Sequence, residues 1–218
     1  APRGTMFNPG PAVYMEKLAG GPQIADLLDL DRPIADLLAA VADRKGCDVR
    51  DVGVVVLDRE RHMEQISAMR EAGARVRLIP DGDVAGSLMA VRPGTGIDLL
   101  WGVGGTPEGV LSASAIRSVG GRIIGRIWPR TDEEREAIVA AGIDPTRILD
   151  TDDLVGSQDT IFAASGVSDG DLVRGVRYHA DGAEISTLVL RGQCRTQRVI
   201  DTALVAGGRL SRIPQSGY

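Results

Sequence analysis

Three short stretches of the chain carry residue types suited to a phosphorylated ligand. "DRERH" offers Asp58, Arg59, Glu60, Arg61 and His62; "PDGD" offers Asp81, Gly82 and Asp83; and "GVGGTPEGV", residues 102–110, runs a glycine-rich segment into Glu108. Guanidinium groups make planar, two-pronged contacts with phosphate. Closely spaced carboxylates accept hydrogen bonds from sugar hydroxyls or hold divalent cations. Backbone N–H groups around residues 104–106 can approach an anion with no side chain in the way. Glu108 complicates this picture, because a bare phosphate beside it would be repelled. A Mg²⁺ or Mn²⁺ ion shared by carboxylate and phosphoryl oxygens removes the conflict, so the segment predicts a metal-assisted phosphoryl site with Glu108 as a metal ligand.

Each stretch also has a plainly structural reading. "GVGG" is not a phosphate-binding P-loop, since no Gly-Lys-Ser/Thr follows. A glutamate in the first turn of a helix commonly complements the helix dipole. Asp81-Gly82-Asp83 makes an ordinary turn, and "RERH" an ordinary solvated helix start. His62 reads as a surface or capping residue and Tyr14 as core. The functional reading therefore depends on all three stretches ending at one place.

The elements around them predict that they do. "VGVVVL", residues 52–57, is a continuous apolar, β-branched run, the signature of a buried strand. Strands also fit "RVRLI" (75–79), "IDLLWG" (97–102) and "GRIIGRIW" (121–128). Helices fit "ERHMEQISAMREAG", "DVAGSLMAV", "PEGVLSASAIRSVGG" with its early proline and terminal glycines, and "DEEREAIVAAG" with its acidic first turn. Such alternation implies an α/β fold with a largely parallel first sheet, whose ligands bind beyond the C-terminal ends of the strands. Residues 11–44, including "YMEKLA", read as helical. After about residue 155 the pattern turns to antiparallel strands, with a turn at Asp181-Gly182. A single α/β domain over residues 1–218 is expected.

The bulk numbers narrow the function. A net charge of −5 and no basic run argue against a nucleic-acid partner. No apolar stretch approaches the roughly 20 residues that span a bilayer, so no membrane partner is expected. Two cysteines, Cys47 and Cys194, read as reduced thiols in a cytoplasmic protein, and two histidines argue against a histidine-based zinc site.

The sequence as a whole resembles the class II fructose-1,6-bisphosphatases. The resemblance runs through "RGTMF", "YMEKLA", "LDRERH", "RLIPDGDVAG", "DLLWGVGGTPEGVLSASAIRSVGG" and "GVSDGDLVRGVRY". It implies hydrolysis of the 1-phosphate of fructose 1,6-bisphosphate, with sedoheptulose 1,7-bisphosphate as a further substrate of some members. It also implies Mn²⁺ or Mg²⁺ as cofactor, a role in gluconeogenesis, a homo-oligomer, and the layered α/β sandwich of the lithium-sensitive sugar phosphatases. Matching positions make Tyr14, the segment Arg59, Glu60 and Arg61, the segment Asp81, Gly82 and Asp83, and Gly105 substrate contacts, and Glu108 a metal ligand. Arg59 stands where the family often has lysine, and Glu60 where proline is common, which sets a negative charge beside the expected phosphate clamp. The family carries about a hundred further residues before "RGTMF", with a "DPIDGT"-type segment that completes its metal cluster. This chain is therefore expected to be the C-terminal portion of such an enzyme, with metal binding by Glu108 alone weak. The alternative is a non-catalytic module that binds phosphosugars or mediates oligomerisation. A nucleotide-binding α/β domain is disfavoured, because no Gly-x-Gly-x-x-Gly unit is followed by a strand-end acid.

Overall fold

The structure, a computed structural model, describes residues 1–205. Along the chain the elements are β1 (Tyr14–Gly20), α1 (Ile34–Lys45), β2 (Gly53–Leu57), α2 (Met63–Glu71), β3 (Arg75–Ile79), α3 (Asp83–Val91), β4 (Leu99–Gly105), α4 (Thr106–Val119), β5 (Arg122–Ile127), α5 (Asp132–Ala140), β6 (Ile148–Leu149), α6 (Thr151–Leu154), β7 (Ile161–Ser165), β8 (Arg177–His179), β9 (Gly182–Arg191) and β10 (Thr196–Val205). The first six strands form one sheet in the order β3-β2-β4-β1-β5-β6. β2 pairs in parallel with β3 and β4, β1 pairs antiparallel with both β4 and β5, and β6 antiparallel with β5. Four strands, β2 to β5, thus share one direction, as the strand–helix alternation predicts.

β1 is a correction to the sequence reading. "YMEKLA" is rich in helix formers, yet it lies at the centre of the sheet, paired along both edges, and residues 15–20 are all buried. Helix propensity is worth only a few tenths of a kcal/mol per residue, far less than two ladders and two covered faces. Met15 and Ala19 join the core beneath α3 and α4, whereas Leu18 joins the core beneath α1 and α2. By the alternation of a strand, Lys17 points with Met15, and Glu16 with Leu18.

β4 is the second correction. It runs on through Gly105, so residues 102–105 are strand, not loop, and α4 begins at the next residue. Nine residues of α4 are buried, because α4 is packed between the six-stranded sheet and a smaller one. That smaller sheet has the order β10-β9-β7, with β8 also on β9, and every pairing is antiparallel, as expected for the tail. β9 alternates buried Leu188 and Leu190 toward α4 with more exposed neighbours, whereas β10 is exposed along nearly its whole length. No helix among the described residues is long and apolar enough to cross a membrane.

Candidate functional site

The site begins where two parallel strands part. β2 pairs with β4 only at Val54–Leu99 and Val55–Leu100, so β4 beyond Leu100 has an open edge on that side. Side chains from the turn after β2 complete the edge. The Val103 N–H donates to His62 Nε2 (2.9 Å), and the Val103 carbonyl accepts from Arg61 Nη2 (2.6 Å) and Nε (3.2 Å). His62 Nδ1 lies 2.8 Å from the Leu57 carbonyl. Since Nε2 accepts, Nδ1 carries the proton, and the imidazole is neutral. His62 is therefore fully buried, not the surface or capping residue expected. Burial pushes its pKa below the usual histidine value, with the nearby Arg61 and Arg59 charges acting the same way and the two backbone hydrogen bonds opposing.

Stability should follow this shift. A base whose folded pKa is depressed is protonated first in the unfolded state. Its contribution is complete above the unfolded value of about 6.5 and is lost as pH falls below that toward the lower folded value. Urea unfolding from pH 8 to pH 5 should show declining stability on the acid side, and His62→Gln should flatten that decline. An unchanged profile would remove His62 as its source.

Antiparallel pairing alternates which residues face the partner strand. The Thr106 N–H donates to the Val13 carbonyl at 2.9 Å, and Gly104 stands opposite Met15 in the same ladder. Because Val103 faces the open edge, the Gly105 N–H faces it too. The expected row of free N–H groups across 104–106 is thus reduced to one, that of Gly105.

Below this rim lies a charge cluster that the sequence reading missed. Lys17 is almost wholly buried (1% exposed); its ammonium pairs with the Asp83 carboxylate and donates to the Gly105 carbonyl at 3.0 Å. Asp83 opens α3 directly after Gly82, whose φ of +84° favours glycine. Desolvation lowers the Lys17 pKa; Asp83 and, more weakly, Glu108 oppose it, and Arg61 lowers it further. Glu108, exposed on the first turn of α4, therefore has Lys17 as a nearby positive charge. The glycines make room for this cluster. A Cβ at Gly104 would collide with the Asp83 carboxylate, and one at Gly105 with that of Glu108.

On the other side of the rim, Tyr14 is flanked by two guanidinium groups, Arg61 at 5.6 Å and Arg130 at 4.8 Å from its ring centroid. Arg130, just past β5, is also missing from the sequence reading; its Nε donates to Glu134 at 3.0 Å. Arg59 is exposed and donates to the neighbouring Asp58 carbonyl (2.8 Å); Glu60 and Asp81 are exposed in the adjoining turns. Tyr14, Arg61, Asp83, Gly105 and Glu108 are thus gathered at one end of the β1–β4 pair, with Arg59, Glu60, Asp81 and Gly82 on the turns around it.

The carboxylates at the rim fall short of a divalent-cation site. Among the described residues no group of three or more His, Cys, Asp or Glu could hold a metal ion. Asp83 is already paired with Lys17, and Glu60, Asp81 and Glu108, which form no ion pair among the described residues, do not converge on one point. These residues alone do not make a Mg²⁺ or Mn²⁺ site, which needs about six oxygen ligands.

Residues 1–204 match a protein family described as bacterial fructose-1,6-bisphosphatase, glpX-encoded. The chain is 41% identical over 215 residues to the D-fructose 1,6-bisphosphatase class 2/sedoheptulose 1,7-bisphosphatase of Synechococcus sp. (strain JA-3-3Ab), covering 93% of this chain and 62% of that protein. It is 37% identical over 209 residues to the fructose-1,6-bisphosphatase class 2 of Haemophilus influenzae, covering 90% of this chain and 63% of the relative. The chain thus spans a little under two thirds of the length of these relatives.

Proposed function

This chain belongs to the family of bacterial, glpX-encoded fructose-1,6-bisphosphatases, and we propose that it serves the hydrolysis of the 1-phosphate of fructose 1,6-bisphosphate. Sedoheptulose 1,7-bisphosphate is the second substrate of this reading, after the name of its cyanobacterial relative. The observation that carries it is the convergence at one strand end of a guanidinium (Arg61), a second one across the Tyr14 ring (Arg130), and a glycine N–H on an open sheet edge. Arg61 and Arg59 would bind phosphate, Tyr14 would back the sugar, and Asp81, Gly82 and Asp83 would meet its hydroxyls. The architecture of this reading is that of the lithium-sensitive sugar phosphatases, as one α/β domain. The setting is a cytoplasmic homo-oligomer in gluconeogenesis, without a nucleic-acid or membrane partner.

A divalent cation, Mn²⁺ or Mg²⁺, would supply charge neutralisation at the transferred phosphoryl group. Glu108 is one ligand for it, and the other oxygen donors such an ion needs are not assembled among the described residues. That incompleteness favours a second reading of the chain by itself, as a non-catalytic phosphosugar-binding module.

Phosphate release from fructose 1,6-bisphosphate with Mn²⁺ separates the two. The chain joined to the segment that precedes it in the family should turn over; the chain alone should bind substrate without turnover. Turnover by the chain alone would sink the binding-module reading, and none by the joined protein would sink the phosphatase reading. Glu108→Gln adds a sharper outcome. In the chain alone it removes a like charge of about 1 kcal/mol, so inorganic phosphate should bind several-fold more tightly. In the joined enzyme the same change should lower turnover and raise the Mn²⁺ concentration required. Equal affinity and unchanged turnover would exclude Glu108 from the site.

A further inference from the structure

The six-stranded sheet has a second end. There the starts of β2, β3 and β4 meet the residues following β1 and the last turns of α3 and α4, around a cavity of about 620 Å³. Small-molecule sites run from roughly 300 to 1,000 Å³. In a chain of net charge −5, this cavity is lined by Lys45, Arg75, Arg92 and Arg195 against only Asp51 and Asp98. Asp98 is spoken for, accepting from Lys45 Nζ (2.5 Å) and from the Gly53 N–H (2.9 Å). Arg75 donates to the Asp51 carbonyl at 2.8 Å. Arg92 and Arg195 form no ion pair among the described residues.

Two helix C-termini face the same space, each equivalent to about half a negative charge. They offset part of the two guanidinium charges and leave the cavity positive. Arg195 is also the one non-glycine residue among those described with positive φ (+48°), a conformation that costs energy for a residue with a side chain. It holds the β9–β10 turn with Arg195 on the cavity wall. Ile24, Val91 and Val119 add apolar wall between the charges.

We infer that this cavity is a binding site for an organic phosphate with a ring-sized apolar body, separate from the rim at the other end of the sheet. A phosphate would lie against Arg92 and Arg195, and the body against Ile24, Val91 and Val119. β1, seven residues long and so about 20 Å from end to end, holds the two places apart, with Tyr14 at the rim and Gly20–Gly21 at the cavity.

Calorimetric titration of the full chain with ADP, 1-naphthyl phosphate and phenyl phosphate tests this. At least one should bind saturably below 1 mM, and inorganic phosphate at least about tenfold more weakly, since it lacks a body to bury. Arg92→Ala combined with Arg195→Ala should weaken that binding at least tenfold, and Arg195→Glu, at an exposed position, should do the same. Arg61→Ala should leave it unchanged. No saturable binding by any of the three, or binding lost in Arg61→Ala and kept in Arg195→Glu, would overturn the inference.

Discussion

Lys17→Met should destabilise the chain by about 3–5 kcal/mol, the usual effect of removing one partner from a buried ion pair. The stem fits, because methionine fills much of the space occupied by the lysine methylenes between β1 and Gly109. What is lost is the cation. Asp83, 8% exposed, would keep its charge at the start of α3 with no partner, and the Gly105 carbonyl would lose its donor. The pair is a poor source of net stability, since burying both charges costs nearly as much as their attraction returns. The double change Lys17→Met with Asp83→Asn should therefore recover most of the loss. Urea unfolding of the two single variants and the double one, analysed as a cycle, measures the coupling. Strictly additive effects would mean that the two side chains do not act on each other.

The second large effect falls on affinity. Arg61→Ala should weaken binding of fructose 1,6-bisphosphate by about 10- to 100-fold, corresponding to the roughly 1.5–3 kcal/mol of a hydrogen bond to a charged group. Arg61 does two things at once. Its guanidinium completes the open edge of β4 through the Val103 carbonyl, and its outer face lies against the Tyr14 ring. Lysine cannot do both, because its ammonium is a point charge without the planar fork. Arg61→Lys should restore part of the affinity while leaving the Val103 carbonyl unpaired or water-bound. Calorimetry with fructose 1,6-bisphosphate measures the first effect, and amide exchange along residues 102–105 the second. Wild-type affinity in Arg61→Ala would take the guanidinium out of the phosphate clamp.

The parts of the molecule that could be read from the sequence are those whose burial leaves a simple pattern. "VGVVVL" is apolar throughout because both its faces are covered, and "DEEREAIVAAG" alternates because only one of its faces is; Ile138 is the buried residue of that helix. "YMEKLA" defeats the same reasoning. Its residues favour helix locally, and the pairing that makes it a strand comes from partners at Leu99–Gly105 and Arg122–Ile127, far along the chain. That one error hid Lys17. Read as a strand covered on both faces, "MEKLA" puts two charges where no water reaches, and each then requires an opposite charge: Glu16 finds Arg126 at 3.0 Å, and Lys17 finds Asp83. Arg130 was missed for a different reason. It follows the fourth strand of the α/β run, "GRIIGRIW", whereas Arg61, Asp83 and Glu108 follow the first three, and the strand-end rule points to it as directly as to them. Arg61, Asp83 and Glu108, which the structure gathers at one end of the β1–β4 pair, each follow a strand that the sequence reading placed, at residues 52–57, 75–79 and 97–102. The turn, not the side-chain contacts, was what the sequence could show.

The place of β1 also bears on how the chain acquires its shape. It is the first strand among the described residues, yet its partners lie 79–91 and 102–112 positions later; the Glu16–Arg126 pair is separated by 110 residues. Closing so long a loop costs entropy before any contact repays it, and a topology dominated by such distant pairings folds slowly. Until β5 has formed, the segment carrying Tyr14 and Lys17 has nothing to pair with on one side. Assembly of the rim is thus a late event, and a nascent chain stalled before residue 122 would carry Arg61, Asp83, Glu108 and β1 without β5, one of the two strands that hold β1 in place.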